Sequence, residues 1–317
     1  MIIKWIMQFF VAGGFIPFFF FPTTTSHWEG YLLQEIITAL PAASFPVALD
    51  REDGPKKIRE ESLGVVVSAK SAVLIDSASR KILFEKEAEV PRSIGSITKL
   101  MTALVILEND PDLEMSIQIL PSDRQIGGKD TFPMYETVKL RDLLFASLVG
   151  SDNTATMALA RSLGKSLPVF IEQMNEKAKQ IGMIQTHFAD PTGLSTQNQA
   201  SAIDLAFLFD EALKHSLIEQ DTQTDKVTVT GQSGRTYMIE STNDLLSGFL
   251  NKAPYQIKGG KTGYLPAAGY SLGVQVQKDA EKNIFAIVLG ADSLKHRFED
   301  IEAMSVWAYE TYEWSVL

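Results

Sequence analysis

The chain has 317 residues, of which 45% are hydrophobic and 21% are charged, a balance typical of a folded globular protein rather than a disordered one. Its formal net charge of −10 argues against a nucleic-acid-binding protein. Cysteine is absent, which excludes disulfides, thiol nucleophiles and cysteine-ligated metals. The four histidines (His27, His187, His215 and His296) are too far apart in sequence to form a paired histidine metal motif. Hydrolytic chemistry in this chain therefore depends on serine, lysine, acidic and amide side chains.

Residues 1–22 differ from the rest of the chain. Lys4 is their only charged residue, and it precedes an apolar run over residues 5–21 that only Gln8 interrupts. A positive start followed by such a run is typical of an export signal or a membrane anchor. The run is at the lower edge of the length for a membrane span, and Pro17 weakens a helix, so both alternatives stay open. We expect an exported protein of the cell envelope, in the periplasm or on the outer face of the cytoplasmic membrane.

The next segment, residues 23–63, mixes prolines with a charged patch at 51–57. This composition predicts an extracytoplasmic spacer. The folded domain is then expected over residues 64–317.

Hydrophobic periodicity predicts the elements of that domain in chain order. Short apolar runs predict a hairpin of two strands at 71–76 and 81–85. Apolar residues spaced by three and four predict helices at 96–107, 140–148, 153–163, 169–181 and 202–214. The pattern then predicts strands at 226–230, 235–239, 256–261, 269–276 and 283–289, followed by a helix near 297–312. Strands at both ends with helices between them predict one sheet with an inserted helical lobe.

Three short motifs occur in one order along the chain: Ser96-Ile97-Thr98-Lys99, Ser151-Asp152-Asn153 and Lys261-Thr262-Gly263. SxxK also occurs at Ser162–Lys165, and SxN also occurs at Ser241–Asn243, so either motif alone is weak evidence. The KTG motif occurs once. All three in this order arise by chance in roughly 1% of chains of this composition, and the set is typical of enzymes that react with penicillin.

The context of the first motif favours Ser96 over Ser162 as a nucleophile. Ser96 opens an apolar helix, whose first turn carries unpaired N–H groups and positive potential. Lys99 follows one turn later on the same face, where its amine can reach the Ser96 hydroxyl. Ser162 ends a helix just before Gly164, and we assign it a structural role. The alternative is that Ser96 is only a helix cap and Lys99 only a surface lysine.

The residue types suit nucleophilic catalysis. A serine hydroxyl needs a base to take its proton, and a lysine kept neutral by burial and a nearby cation can be that base. Lys261 is a candidate for the cation and for binding a substrate carboxylate. Gly263 lacks a side chain, so an edge strand here lets a peptide pair closely with it. For two residues of the second motif a structural role is the alternative. Asp152 can be a solvated loop carboxylate, and Asn153 can be the N-cap of the following helix.

From about Ser68 onward the chain resembles the low-molecular-weight penicillin-binding proteins, the D-alanyl-D-alanine carboxypeptidase family of serine peptidases. The likeness includes the hairpin and nucleophile helix (AKSAVLIDSASRKILFEKEAEVPRSIGSITKLMTALV) and the loop that begins THFADPTGLSTQNQ. It also includes TNDLL, GGKTGYLPAAGYSL and RFEDIE. The resemblance implies an α+β, penicillin-recognising fold with a five-stranded antiparallel sheet flanked by helices and an all-helical lobe.

The resemblance also implies roles for individual residues. Ser96 would be acylated and Lys99 would be its general base, with backbone N–H groups of Ser96 and Tyr264 as the oxyanion hole. Ser151 would relay a proton to the leaving D-alanine, and Asn153 would orient Lys99 and the substrate amide. Lys261 and Thr262 would hold the terminal carboxylate, in a substrate-binding strand that includes Gly263. The implied substrate is a peptidoglycan stem peptide ending in D-Ala-D-Ala, β-lactams would acylate the same serine, and no metal or cofactor is implied.

Departures from the family leave the exact reaction open. Only 54 residues follow Gly263, enough for two strands and a helix, so we expect the N-terminal segment to provide any membrane tether. Shorter members of the family include both carboxypeptidases and D,D-endopeptidases that cleave cross-links. A class A-like β-lactamase needs a water-activating carboxylate after the SxN motif, and Asp190 is the only acid nearby. A non-catalytic cell-wall-binding module is the remaining alternative.

Overall fold

The computed structural model describes residues 54–279 and 282–314, together with the backbone of residues 8–11 and 14–17. In chain order, the strands are β1 (Gln8–Val11), β2 (Gly14–Pro17), β3 (Lys56–Lys57), β4 (Ser71–Asp76), β5 (Ile82–Lys86), β6 (Arg92–Ser93), β7 (Ser116–Gln118), β8 (Thr137–Lys139), β9 (Gln199–Ala200), β10 (Lys226–Thr230), β11 (Thr236–Glu240), β12 (Tyr255–Leu265), β13 (Gly269–Lys278), β14 (Lys282–Ala291) and β15 (Tyr312–Glu313). The helices are α1 (Thr98–Glu108), α2 (Leu140–Leu148), α3 (Asn153–Ser162), α4 (Leu167–Gln180), α5 (Ala202–Ala212), α6 (Ser216–Thr222) and α7 (His296–Thr311). Short 3-10 turns lie at Gly95–Ile97, Pro121–Asp123, Asp244–Leu246 and Phe249–Asn251.

The chain divides into two units, Met1–Phe45 and Pro46–Leu317. In the first unit the structure describes only the antiparallel pair β1 and β2. The predicted export signal or anchor (1–22) lies mostly outside the described residues, and so does the spacer up to residue 53. Within the described part of the chain, no helix combines the length and apolar character that a membrane crossing requires. The predicted boundaries at 22 and 63 stay predictions.

The second unit is built on a five-stranded sheet with the order β12-β13-β14-β4-β5. Every neighbouring pair in it is antiparallel. The sheet therefore joins strands from the two ends of the domain, as the pattern of predicted elements indicated. The prediction of a single sheet is wrong for β10 and β11, which pair with each other in a separate two-stranded sheet. Strand β12, which carries the KTG motif, lies at one edge of this sheet.

The central strands of the sheet are apolar on both faces, so both faces must be shielded from water. Helices cover each of them. On β4, Val73 and Ile75 pack into a core shared with the helical lobe, while Ala72 and Leu74 pack into a second core beneath α7. This alternation follows from the two-residue period of a strand. Helix α7 contributes Ile301 to the second core.

The helical lobe is organised around α1, whose residues from Thr98 to Leu107 are all buried. A helix that is apolar on every side needs neighbours on every side, and α2, α3, α4, α5 and α6 supply them. Helices α2 and α3 form a hairpin, and the turn between them contains the SxN motif. The lobe thus brings the first two motifs together at the edge of the sheet that carries the third.

The structure differs from the expected elements in two further respects. Helix α6 was not predicted, because a seven-residue helix shows little periodicity. The short strand pairs β3–β15, β6–β9 and β7–β8 were not predicted for the same reason. The nucleophile helix also starts differently: a 3-10 turn at Gly95–Ile97 precedes α1, and the N–H of Thr98 bonds the carbonyls of Gly95 and Ser96. Ser96 thus lies in a tighter turn than an α-helix provides.

Phe209 tests the packing of the lobe on the sheet. Its fully buried ring lies against Gly273, where an added Cβ would be 2.3 Å from the ring. Phe209→Ala leaves a cavity there, and we expect the free energy of unfolding to fall by roughly 3–5 kcal/mol in a urea titration. Phe249→Ala is the control, because that ring is half exposed and its loss costs much less. Equal losses in the two variants would contradict this account of the packing.

Candidate active site

The amine of Lys99 is the centre of the candidate site. The side chain is fully buried, and its Nζ contacts three oxygen atoms. It lies 2.8 Å from Ser96 Oγ, 2.6 Å from Asn153 Oδ1 and 2.7 Å from the carbonyl oxygen of Thr192. Residues of the first two motifs therefore meet at Lys99 Nζ. The contact between Lys99 and Ser96 is the one that their spacing in the sequence predicted.

Burial lowers the pKa of the Lys99 amine to about 7, against the smaller opposing effect of the Asp152 and Asp190 carboxylates. A neutral amine has two N–H groups and one lone pair. Asn153 Oδ1 and the Thr192 carbonyl can only accept, so they take both N–H groups. The lone pair is then directed at Ser96 Oγ, in the geometry that a base needs to remove the hydroxyl proton.

The Thr192 carbonyl is held in place by the Asp190 carboxylate. Asp190 Oδ1 accepts hydrogen bonds from the N–H groups of Thr192 (2.6 Å) and Gly193 (2.8 Å). Its Oδ2 accepts from Ser195 N–H and Asn198 Nδ2, each at 2.7 Å. Burial opposes ionisation, but hydrogen bonds from the Thr192 hydroxyl and from the backbone N–H groups of Ser195, Thr192 and Gly193 hold the pKa of Asp190 below its usual value. Asp190 is therefore an ionised, fully bonded loop anchor.

Gly193 brings this loop against the nucleophile turn. Its φ is +88°, and an added Cβ would lie 2.0 Å from the carbonyl oxygen of Gly95. Only glycine accommodates both the backbone conformation and this approach. The loop that presents the Thr192 carbonyl is thus in direct backbone contact with the residue preceding Ser96.

In the Ser151-Asp152-Asn153 turn, the Asp152 side chain stabilises the fold and the Asn153 side chain contacts the candidate site. Asp152 was considered a solvated carboxylate, but it is fully buried and caps α3, where its Oδ1 accepts from Ala155 N–H at 2.8 Å. The cap is therefore Asp152, and the reading of Asn153 as the N-cap is wrong. The Asn153 amide instead reaches Lys99 through Oδ1 and donates from Nδ2 to the Gly127 carbonyl at 2.8 Å.

The third motif joins the same site through Lys261. Its Nζ donates to Ser151 Oγ at 2.9 Å, and the side chain is almost completely buried. Burial lowers the pKa of Lys261 well below the usual lysine value, and the charges of Lys99, Arg297 and Lys129 lower it further. Lys99 thus contacts Ser96, and Lys261 contacts Ser151. The charge of Lys99 adds to burial in disfavouring the protonated form of Lys261.

The backbone of β12 lies directly against the nucleophile turn. An added Cβ on Gly263 would be 2.2 Å from the Ile94 carbonyl oxygen, and one on Gly95 would be 2.8 Å from the Tyr264 nitrogen. These contacts bring the segments carrying the Ser96 and Tyr264 N–H groups together, which an oxyanion hole formed by the two requires. The Tyr264 ring is half exposed and stacks on Tyr270, with centroids 4.4 Å apart.

Sequence reasoning missed Arg297, a buried arginine at the start of α7. Its guanidinium donates to the carbonyls of Gly263 and Thr242 at 3.4 and 3.5 Å, and among the residues that the structure describes its Nε has no hydrogen-bond partner. Burial lowers the pKa of Arg297 to about 10, whereas the charges of Asp244 and Tyr270 act to raise it. The segment containing it was noted in the family resemblance, but a basic residue on a distant helix gives no signal of its position.

Arg297 completes a positively charged subsite. The hydroxyl of Thr262 lies 2.6 Å from that of Thr242, whose carbonyl accepts from Arg297. Within residues 54–279 and 282–314, no carboxylate forms an ion pair with Lys261 or Arg297. A buried guanidinium and a buried lysine amine beside a hydroxyl are suited to an anionic group of a ligand.

The duplicate motifs do not form a second site. Ser162 Oγ donates to the Leu159 carbonyl at 2.6 Å, and the amine of Lys165 donates instead to Asn109 Oδ1 at 2.8 Å. The Ser241 hydroxyl accepts from the backbone N–H of Asn243. The Ser162 and Ser241 contacts are local, and Lys165 Nζ is bonded to Asn109, so the assignment of Ser162 to a structural role is supported.

The fold and the three-motif site define a serine peptidase of the penicillin-recognising class. Over residues 57–293 the chain matches the model of the D-alanyl-D-alanine carboxypeptidase peptidase family, and it belongs to that family. The predicted family, the α+β penicillin-recognising fold and a serine-type D-Ala-D-Ala peptidase are thereby confirmed.

Individual relatives agree with this assignment. The chain is 30% identical over 289 residues to D-alanyl-D-alanine carboxypeptidase DacF of Bacillus subtilis, covering 89% of this chain and 72% of that protein. It is 36% identical over 217 residues to a D-alanyl-D-alanine endopeptidase of Haemophilus influenzae, with 68% and 72% covered. The crystal structure of the Streptomyces K15 DD-transpeptidase shares the fold, with a TM-score of 0.72 and 24% identity over 78% of this chain and all of that one.

The pKa of Lys99 predicts the pH dependence of acylation. Only the unprotonated amine can accept the serine proton, so the rate should be constant well above pH 7 and fall about tenfold per pH unit well below it. The measurement is the second-order rate constant for acylation by a fluorescent penicillin between pH 5 and 9, with circular dichroism as the check that the protein stays folded. A rate that is flat down to pH 5 would contradict the role of Lys99.

Proposed function

We propose that the protein is a D-Ala-D-Ala carboxypeptidase acting on peptidoglycan stem peptides, with Ser96 as the nucleophile and Lys99 as the general base. One observation carries the assignment of the base: the buried Lys99 Nζ lies 2.8 Å from Ser96 Oγ, and its two other partners are oxygen atoms that can only accept. The pKa of about 7 makes that amine available near neutral pH.

In the first step Lys99 takes the Ser96 proton while Oγ bonds to the penultimate D-alanine carbonyl carbon. The N–H groups of Ser96 and Tyr264 stabilise the oxyanion. The C–N bond then breaks, and the leaving amine takes the proton that Lys99 removed, relayed through the hydroxyl of Ser151, which accepts from Lys261 Nζ. In the second step the neutral Lys99 takes a proton from the water that attacks the ester carbonyl, and this proton returns to Ser96 Oγ as the ester bond breaks.

The terminal carboxylate of the substrate is proposed to bind the subsite formed by Lys261, Thr262 and Arg297. Within the described part of the chain, Arg297 Nε has no hydrogen-bond partner and the two other contacts of the guanidinium are long, so its hydrogen-bonding capacity is incompletely used. Strand β12 is at the edge of the sheet, so an extended peptide can pair with it beside Gly263. The ring of Tyr264 forms part of the rim of the substrate site.

The position of Asp190 favours a peptidase over a class A-like β-lactamase. Rapid hydrolysis of a penicilloyl ester needs a carboxylate that activates water, and Asp190 is committed to hydrogen bonds with its own loop. A non-catalytic cell-wall-binding module would not require a lysine amine to be buried beside a serine, which is costly. Both alternatives are therefore disfavoured, and β-lactams are proposed to form a stable ester on Ser96.

We place the enzyme in the bacterial cell envelope, where peptidoglycan is found. The N-terminal segment (1–22) would direct export and, if retained, anchor the domain to the outer face of the cytoplasmic membrane. Its positive start and apolar run support this assignment.

Ser96→Ala tests the nucleophile. It removes the atom that is acylated, so fluorescent penicillin labelling and release of D-alanine from a stem pentapeptide should both be abolished. Circular dichroism should show an unchanged fold, because the substitution deletes only one oxygen. Ser162→Ala, the serine of the duplicate SxxK motif, is the matched control and should label at the wild-type rate. Labelling that persists in Ser96→Ala would refute the assignment.

Arg297→Met tests the carboxylate subsite. A lost charge-assisted hydrogen bond costs roughly 1.5–3 kcal/mol, so kcat/KM for a D-Ala-D-Ala peptide should fall roughly 10- to 150-fold. The same peptide with an amidated C-terminus should show a much smaller change. Arg59→Met, at an exposed surface ion pair with Glu310, is the control and should leave both rates unchanged. An equal loss for the two peptides would argue that Arg297 only supports the fold.

A further inference from the structure

The buried guanidinium of Arg297 has few polar contacts that could hold it in one place. Its hydrogen bonds to the carbonyls of Gly263 and Thr242 are long, at 3.4 and 3.5 Å. The side chain is buried, and within residues 54–279 and 282–314 no carboxylate forms an ion pair with it. An arginine side chain loses much rotamer freedom when it is fixed, so two weak hydrogen bonds alone do not determine its position.

Two aromatic rings supply further contacts. The guanidinium carbon of Arg297 lies over the ring of Phe298, 4.6 Å from its centroid, and over the ring of Tyr270, 5.7 Å from its centroid. Both distances are within the range of a cation–π interaction, and a guanidinium packs well on aromatic rings. Phe298 is a buried neighbour of Arg297 in α7, whereas Tyr270 belongs to strand β13. Tyr270 is thus the ring that reaches Arg297 from the sheet.

The position of Tyr270 is itself well defined. It is the cross-strand partner of Tyr264 on β12, and the two rings stack with 28° between their planes. On its other side, the register of β13 and β14 shifts between Tyr270 and Leu272, where Gly290 of β14 has a φ of +70°. Irregularities of this kind redirect side chains and are common next to active sites. The ring of Tyr270 therefore contacts both Arg297 and Tyr264, whose N–H belongs to the proposed oxyanion hole.

A contact with a ring differs from an ion pair in what it leaves free. The N–H groups of a guanidinium lie in its plane, and a carboxylate partner would occupy them. The face of a ring attracts the positive charge without accepting a strong hydrogen bond. Among the residues that the structure describes, Arg297 Nε has no hydrogen-bond partner, which agrees with an arginine held by rings rather than by an acid.

We propose that Tyr270 is a positioning residue for the substrate carboxylate: its ring holds the Arg297 guanidinium in the subsite and leaves the N–H groups for the ligand. This rests on the proposed function, in which Arg297 binds the terminal carboxylate. The role requires the ring of Tyr270 and not its hydroxyl, so phenylalanine can replace it and an aliphatic side chain cannot.

The test measures selectivity for a free C-terminus, which is kcat/KM for a D-Ala-D-Ala peptide divided by kcat/KM for the same peptide with an amidated C-terminus. Tyr270→Leu should lower this ratio roughly 3- to 30-fold, the range of a lost cation–π contact. Tyr270→Phe should keep the wild-type ratio. Tyr255→Leu is the matched control and should also keep it, because Tyr255 has a cation, Lys278, 5.5 Å from its ring centroid but lies at the opposite end of β12 from Tyr264.

A double-mutant cycle shows whether Tyr270 acts through Arg297. In an Arg297→Met background, Tyr270→Leu should change the ratio no further, because the cation is already absent. Pentafluorophenylalanine at position 270 keeps the shape of a phenylalanine ring but reverses the charge distribution of its face, so it should lower the ratio as leucine does. Circular dichroism checks that each variant is folded.

The outcomes separate this proposal from the carboxylate subsite itself. A ratio that Tyr270→Leu leaves unchanged, or lowers equally in the Arg297→Met background, overturns the role of Tyr270. A pentafluorophenylalanine variant with the wild-type ratio also overturns it, and this result decides the question if the leucine variant fails to fold. Loss of selectivity in Arg297→Met with no effect at position 270 keeps the proposed subsite. Wild-type selectivity in Arg297→Met overturns both.

Discussion

A lysine amine that is shielded from water and surrounded by three neutral oxygen atoms is the interaction on which this site depends. In water the amine of Lys99 would be protonated and useless as a base at neutral pH. Burial disfavours its charged form, and the nearest carboxylates, Asp152 and Asp190, act on it only at a distance. The acceptors Asn153 and Thr192 then decide which way the remaining lone pair points. The electrostatic environment and the orientation are separate requirements, and different parts of the chain meet them.

The requirement for orientation explains much of the surrounding structure. Each of the three oxygen atoms comes from a separate segment: the nucleophile turn, the start of α3 and the loop held by Asp190. Backbone contacts at Gly95, Gly193 and Gly263 hold the nucleophile turn, this loop and strand β12 together, at distances that leave no room for a Cβ. Local rigidity of this kind is what a preorganised site needs. The fully buried helix α1 provides the rigid base from which Ser96 and Lys99 project.

Sequence reasoning predicted the longer elements and the meeting of the motifs for physical reasons. The helical periodicity of residues 140–148 reproduces α2 residue for residue, and Ser96 with Lys99 is a local pair fixed by one turn of helix. It could not predict the Thr192 carbonyl, because a backbone oxygen carries no residue identity and lies 93 residues from Lys99. Arg297 was missed for a similar reason, because its place in the site depends on contacts between elements distant in sequence. Asp152 was misjudged because its burial is a tertiary property.

The most direct test of this account is the titration of the Lys99 side chain itself. The protein would be labelled with ¹⁵N-lysine, the Nζ signal of Lys99 assigned with a Lys99→Arg variant, and its chemical shift followed from pH 5 to 11. The account predicts a midpoint near pH 7, more than two pH units below that of an exposed lysine such as Lys295. A Lys99 amine that stays protonated above pH 9 would contradict it, because such an amine has no lone pair to offer the serine.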